Sequence, residues 1–132
     1  SLSVAPTLDD SISRMTIVTS GDERILEQIT KQLNKLIDTI KVIDFTDSEY
    51  VEREMALIKV QATEDTRAEV LRIVDIFRGN VVDVTARSYT MEITGAPSKI
   101  KAVIDLLKPI GIQEIVRSGP VVLGRGAKGW NG

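Results

Sequence analysis

The chain has 132 residues with 17 basic and 19 acidic side chains, a formal net charge of −2, and neither cysteine nor histidine. The balanced charge gives no general attraction for nucleic acid, and the missing residue types remove disulfides, thiol chemistry, most zinc sites and the usual general base near neutral pH. The sequence has no apolar run of the roughly 18 residues that span a bilayer, and no basic and apolar leader at its start. We therefore expect a cytoplasmic protein without a membrane partner.

The first third of the chain predicts two strands, a helix and a third strand. Leu2 to Ala5 and Ser13 to Thr19 are expected to pair as antiparallel strands. Asp22 to Leu36 predicts an amphipathic helix, because apolar residues recur there at three- and four-residue intervals. Thr39 to Phe45 predicts a closing strand, and Thr46 to Tyr50 a linker.

A long strand and a helix are predicted next. Val51 to Ala62 is rich in β-formers and apolar on both alternating faces at its centre, as expected of a central strand. Thr66 and Glu69 have the spacing of a capping box, and apolar residues follow at helical intervals up to Phe77. Gly79 is expected to end this helix.

The following segment predicts a hairpin, a second helix and a final strand. Asn80 to Ala86 and Tyr89 to Thr94 read as two short strands that pair as a hairpin. Pro97 suits the first turn of a helix that Gly111 can end, and Ile112 to Arg117 closes the unit as a strand. This βαββαβ order predicts an antiparallel sheet with both helices on one face, the ferredoxin-like arrangement.

The start of the chain repeats the second part of this unit. Ser13 to Thr19 matches Ser88 to Thr94, and a glycine, a polar segment, an amphipathic helix and a strand follow in each copy. The expected fold class is therefore α+β, with two ferredoxin-like units of which the first lacks its opening strand and helix. The expected division is residues 1–46 for the partial unit, 47–119 for the complete unit and 120–132 for a flexible tail. Because a half-unit leaves strand edges exposed, we expect the opening elements upstream in a longer chain or supplied by a second copy.

Six stretches, in order along nearly the whole chain, resemble the small regulatory subunit of acetolactate (acetohydroxyacid) synthase. They are SLSVAPT at Ser1 to Thr7, SRMTIVTSGDE at Ser13 to Glu23, EQITKQLNKLIDTIKV at Glu27 to Val42, VEREMALIKV at Val51 to Val60, IFRGNVVDV at Ile76 to Val84 and EIVRSG at Glu114 to Gly119. The resemblance implies an amino-terminal ACT domain followed by a second ferredoxin-like domain. It also implies that the opening strand and helix of the ACT domain precede Ser1.

The resemblance implies regulation without catalysis. Members of this family associate with a large catalytic subunit, raise its activity and confer inhibition by valine or a related branched-chain amino acid. The catalytic subunit makes acetolactate or acetohydroxybutyrate with thiamine diphosphate, magnesium and usually FAD, so this chain is expected to hold no cofactor of its own. In the family the effector lies between two ACT domains, near the start of the second strand. Ser1, Leu2 and Ser3 are therefore candidates for the edge of the effector site, although the residues of an ordinary strand would alternate in the same way.

Two other patterns have simpler explanations than catalysis or phosphate binding. Glu52 and Glu54 share one face of a strand, the geometry of paired catalytic carboxylates, but Arg53 beside them favours a solvated or salt-bridged pair. The glycine-rich segment Gly124 to Gly129 has a lysine followed by glycine, where a phosphate loop needs serine or threonine. A flexible tail is the better interpretation of that segment.

The strand Val51 to Ala62 also predicts a contact surface. Met55 and Leu57 alternate with Ala56, Ile58 and Val60, so one set should pack on the helices and the other should lie on the open face of the sheet. An open apolar face usually meets another subunit, and a symmetric dimer is the commonest closed assembly.

Two alternatives to a regulatory subunit of acetolactate synthase remain from the residues. One is a free-standing ACT-type module that binds an amino acid and regulates a different enzyme, because a fold does not determine function. The other is a small enzyme that uses carboxylates, which requires a pocket holding acids with perturbed pKa values.

Overall fold

The computed structural model describes residues 2–6, 8, 13–17, 23–35, 42–45 and 49–126. Strands β1 (Leu2–Pro6) and β2 (Ser13–Ile17) form a two-stranded antiparallel sheet in which Leu2 lies opposite Ile17. Helix α1 (Glu23–Asn34) follows, and Ile29 and Leu33 on it are half-buried. These elements confirm the predicted hairpin and amphipathic helix.

The predicted closing strand of the first unit is not observed where the structure describes it. Residues 42–45 have no regular secondary structure, and residues 39–41 lie outside the described part of the chain. The predicted boundary between residues 46 and 47 also lies outside it. The division into domains therefore stays a prediction at this point of the chain.

The second sheet is built around one long strand, β3 (Tyr50–Gln61). Its other strands are β4 (Asn80–Val84), β5 (Ser88–Gly95), β6 (Ile112–Arg117) and β7 (Val121–Gly124). All pairings are antiparallel, in the order β4-β5-β3-β6, and β7 pairs with the first four residues of β3. Two helices connect these strands, α2 (Arg67–Ile76) and α3 (Pro97–Leu107).

Both helices pack on the same face of this sheet and enclose one hydrophobic core. Alternate residues of β3 point into it, and the buried core consists of Ala56, Ile58, Val60, Val70, Ile73, Val74, Met91, Ile93, Ile100, Val103 and Leu107. The spacing of the helical members at three- and four-residue intervals explains why each helix turns one stripe toward the sheet. The element order and the single helical layer confirm the predicted α+β, ferredoxin-like class.

The predicted capping box at the start of α2 is wrong. Thr66 has an αR backbone and makes no side-chain cap hydrogen bond. Its Oγ1 instead accepts a hydrogen bond of 2.9 Å from the backbone N–H of Thr63, three residues earlier, while the Glu69 carboxylate accepts from Arg72. The Thr66 hydroxyl, which a capping box would use at the start of the helix, is therefore hydrogen-bonded within a turn over residues 63–66.

The end of α2 is a Schellman motif in which the left-handed residue is an arginine. Arg78 has a φ of 54°, its N–H donates to the Asp75 carbonyl, and the Gly79 N–H donates to the Val74 carbonyl at 2.8 Å. Gly79, predicted to end the helix by its backbone freedom, is instead needed for space. A Cβ at Gly79 would lie 2.2 Å from Ile93 Cδ1 and 2.9 Å from the Glu92 carbonyl oxygen.

The predicted flexible tail is wrong for its first residues. Val121–Gly124 forms β7, with Arg53 opposite Val121 and Tyr50 opposite Gly124. Because β6 pairs with the second half of β3 and β7 with its first half, β6 and β7 follow each other along β3. Residues 127–132 lie outside the described part of the chain.

Candidate functional site

Of the two carboxylates that could suggest catalysis, Glu54 is held in an ion pair. Glu54 lies on the helix side of β3 and is only 8% exposed, and its Oε1 accepts from Arg117 Nε on β6. Arg53 points to the opposite face, because neighbouring strand residues alternate, and therefore cannot bridge Glu54. The salt-bridged interpretation of Glu54 is confirmed, with Arg117 as the partner in place of Arg53.

The described residues offer no group of three or more acidic, histidine or cysteine side chains that could hold a metal ion. Among the same residues, no helix is long and apolar enough to cross a membrane. Clear pKa shifts occur at an exposed pair on α3, where a 2.8 Å hydrogen bond from Lys101 lowers the pKa of Asp105 and in turn raises the pKa of Lys101. An i, i+4 ion pair on a helix surface explains these two shifts without a pocket.

The candidate effector residues lie at the beginning of β1. Ser1 is outside the described residues, while Leu2 and Ser3 lie opposite Ile17 and Thr16 of β2. For Leu2 and Ser3 the structure describes the position in strand β1. Their assignment to the edge of an effector site therefore stays a prediction.

A cleft of about 260 Å³ lies between the amino-terminal hairpin and the second sheet. It is lined by Arg14 and Thr16 of β2, Val51 and Arg53 of β3, and residues 121–123 of β7. The side chains of Arg14 and Thr16 share one side of β2, and both are partly buried. Thr16 also lies opposite Ser3, so β1 is the next strand outward from the cleft.

Each arginine of the cleft is held by a backbone carbonyl. Arg14 Nη2 donates to the Val122 carbonyl oxygen on β7, and Arg53 Nη1 donates to the Glu52 carbonyl oxygen at 2.7 Å. Among the residues that the structure describes, no acidic side chain lines the cleft and none forms an ion pair with either arginine. The cleft is therefore a positively charged site with apolar walls.

The open face of the second sheet is a second candidate surface, and at one end it includes three residues that also line the cleft. We use this term for the apolar side chains of β3, β6 and β7 that point away from the helices: Val51, Met55, Leu57, Val116, Val121 and Leu123. Val116 is 57% exposed and Leu123 is 60% exposed. Polar side chains surround the strip, including Lys59 and Glu114, which pair at 3.4 Å. The predicted open apolar face is thus present, and it is longer than predicted because β7 extends it.

Sequence reasoning missed the cleft, because it treated the segment after Gly119 as a tail. The run Val121 to Leu123 is apolar and begins with two β-branched residues, which is a strand signal that could have been used. No local signal could have placed Arg14 beside Val122, since these residues are 108 positions apart in the sequence.

Comparison with known proteins agrees with this architecture. The family profile described as "Small subunit of acetolactate synthase" matches residues 53–126, and the profile described as "AHAS small subunit-like ACT domain" matches residues 1–41. An acetolactate synthase small subunit of Aquifex aeolicus is 55% identical over 94% of this chain and 65% of its own length. One of Haemophilus influenzae is 50% identical over 97% of this chain and 79% of its own length.

A solved structure supports the same relationship. The crystal structure of the acetolactate synthase small subunit from Thermotoga maritima aligns with a TM-score of 0.85 and 41% identity, covering 99% of this chain and 80% of that chain. The fold and these matches place the chain among proteins built of ferredoxin-like units with an amino-terminal part of the ACT type. Within that class, the chain belongs to the family of acetolactate synthase small subunits. It spans about two thirds to four fifths of the length of these relatives.

Proposed function

We propose that this chain is a non-catalytic regulatory subunit that raises the activity of an acetolactate synthase catalytic subunit. It confers inhibition by valine or another branched-chain amino acid. One observation supports the proposal above all. Over nearly the whole chain, about half of the residues are identical to those of proteins named as small subunits of this synthase. Thiamine diphosphate, magnesium and FAD belong to the catalytic subunit in this proposal.

Regulation of this kind requires a difference in effector affinity between two states of the complex. A coupling of about 1 to 3 kcal/mol changes the effector affinity by about 5- to 150-fold. The amino acid binds in the ACT part, residues 1–46 in the expected division, and Leu2 and Ser3 are the candidates within the described residues for the edge of its site. The rest of the chain then transmits the change to the catalytic subunit.

The open face is proposed as the surface on which two copies of the chain associate. Its apolar strip is bordered by side chains of both charge signs, such as Lys59 and Glu114, so the surface can complement itself across a two-fold axis. An exposed apolar strip bordered by polar residues is typical of an interaction surface.

The regulatory role is tested by acetolactate formation with the catalytic subunit of the same organism. The rate is measured with the catalytic subunit alone, with this chain, and with a longer form that includes the upstream sequence, each with and without valine. We expect stimulation by the chain and valine inhibition with the longer form. A longer form that binds valine and leaves the rate unchanged would instead support the alternative, an ACT-type module that regulates a different enzyme.

The proposed dimer surface is tested by one charged substitution with a matched control. Val116→Glu places a carboxylate in the open face, whereas Ile76→Glu places one at a similarly exposed position, 65%, at the end of α2. Sedimentation should show at least about a tenfold weaker self-association for Val116→Glu, equivalent to about 1.4 kcal/mol, and little change for Ile76→Glu. Equal self-association of the two variants would contradict the assignment of this face.

A further inference from the structure

The cleft between β2 and the β3–β7 pair has the chemistry of a ligand site that differs from an amino-acid site. We propose that it binds a small aliphatic carboxylate that lacks an amino group, such as a branched 2-oxo acid. This inference does not rest on the proposed regulatory function, because it follows from the residues that line the cleft.

The positive charge of the cleft supplies the attraction for a carboxylate. Arg14 and Arg53 both line the cleft. Each guanidinium has five N–H donors, and in each the described hydrogen bond to a backbone carbonyl uses one of them. A guanidinium that keeps adjacent donors available can bind a carboxylate with two parallel hydrogen bonds. The bond from Arg14 to Val122 also fixes the position of one guanidinium before any ligand arrives, which lowers the ordering cost of binding.

The walls of the cleft determine the rest of the ligand. Val51, Val121 and Leu123 present aliphatic side chains, and Thr16 supplies one hydroxyl that can donate to a carbonyl or hydroxyl group of the ligand. A volume of about 260 Å³ lies just below the usual range for drug-sized ligands, which begins at about 300 Å³. The cleft therefore fits a molecule of a few carbon atoms with one charged end.

The described lining of the cleft contains no acidic residue, which disfavours an amino acid as the ligand. An ammonium group in this cleft would lie near two guanidinium groups, and the lining residues that the structure describes include no carboxylate to compensate its charge. The Val122 carbonyl, which could accept from an ammonium, also accepts from Arg14, so an ammonium bound there would lie beside a guanidinium. Like charges at short distance repel, so an amino acid should bind more weakly than the oxo acid with the same side chain.

The experiment follows backbone amide signals of the whole chain by NMR during titration with 3-methyl-2-oxobutanoate. We expect saturable shifts at Val51, Arg53 and residues 121–123, with a dissociation constant on the order of millimolar for so small a ligand. Isovalerate should shift the same signals, whereas 3-methylbutan-2-one, which lacks the carboxylate, should not. Valine should bind there at least tenfold more weakly than the oxo acid.

Variants separate the cleft from non-specific attraction. Arg53→Gln should weaken binding at least tenfold and Arg53→Lys should weaken it less, because lysine keeps the charge and loses the planar fork. Arg87→Gln removes an exposed arginine from the turn between β4 and β5 and serves as the matched control, with no change expected. A well-dispersed spectrum in each variant verifies the fold.

Three results would overturn the proposal. Shifts that never saturate, or that persist equally in Arg53→Gln, would show attraction to the general surface. Equal binding of the ketone would show a purely apolar cleft. Equal binding of valine at these residues would refute the selectivity against amino groups.

Discussion

The ion pair between Glu54 and Arg117 joins β3 to the end of β6, and its loss should destabilise the fold. Glu54 is 8% exposed and Arg117 is 47% exposed, so removing the arginine leaves a mostly buried carboxylate without its counter-charge. Breaking a fully buried pair costs about 3 to 5 kcal/mol, and the exposure of Arg117 reduces our expectation for Arg117→Met to about 2 kcal/mol. With a typical urea slope of about 1.5 kcal/mol per molar, the unfolding midpoint should fall by about 1 to 1.5 M.

A second pair between the same two strands provides the control. Lys59 and Glu114 also join β3 to β6, at 3.4 Å, but their side chains are 42% and 64% exposed. Lys59→Met should therefore change the free energy of unfolding by less than about 1 kcal/mol. The double variant Glu54→Met, Arg117→Met should recover most of the stability, because an apolar pair leaves no buried charge. If Arg117→Met destabilised no more than Lys59→Met in urea unfolding, the reasoning from burial would be refuted.

Two further predictions concern local structure. Gly79→Ala should lower the free energy of unfolding by about 1 to 3 kcal/mol, because the new Cβ would meet the backbone of β5. Arg78→Gly should leave the free energy of unfolding unchanged or raise it by up to about 1 kcal/mol, since glycine adopts the left-handed backbone conformation without the strain of a side chain. Thermal unfolding of both variants measures this contrast, and destabilisation by Arg78→Gly would contradict the Schellman geometry. On α3, the hydrogen bond from Lys101 lowers the pKa of Asp105 in the folded protein. The ionised Asp105 therefore stabilises the fold above the pKa that it has in the unfolded chain, and this stabilisation is lost as the pH falls through its pKa in the folded protein. An NMR titration of the carboxyl carbon should show the pKa of Asp105 rising in Lys101→Gln, and an unchanged titration would disprove the pairing.

The cleft and the open face share residues, and this affects how their functions can be separated. Val51, Val121 and Leu123 belong to both, because β3 and β7 present their alternate side chains to the open side of the sheet. Substitutions at these positions would disturb ligand binding and self-association together. Val116 is outside the cleft, so its substitution tests self-association without removing a residue that lines the ligand site.

Part of the candidate site could be predicted from local sequence and part could not. The alternation of Met55 and Leu57 with buried neighbours was sufficient to predict an open apolar face. The cleft could not be predicted, since it needs β7 to pair with β3 and Arg14 to reach Val122. The partner of Glu54 was also missed, because its arginine is 63 residues away, while the arginine beside it in sequence points to the other face.

The type and order of most elements could be predicted from local sequence, because the period of apolar residues and the backbone preferences of proline and glycine act over a few neighbouring residues. Pro97 at the first turn of α3 and the β4–β5 hairpin are examples. Contacts between distant segments determine that Gly79 is required for space, that Arg117 compensates Glu54 and which residues line the cleft. These features depend on strand register and on contacts between distant segments, and a one-residue change in register would send each side chain to the other face of the sheet.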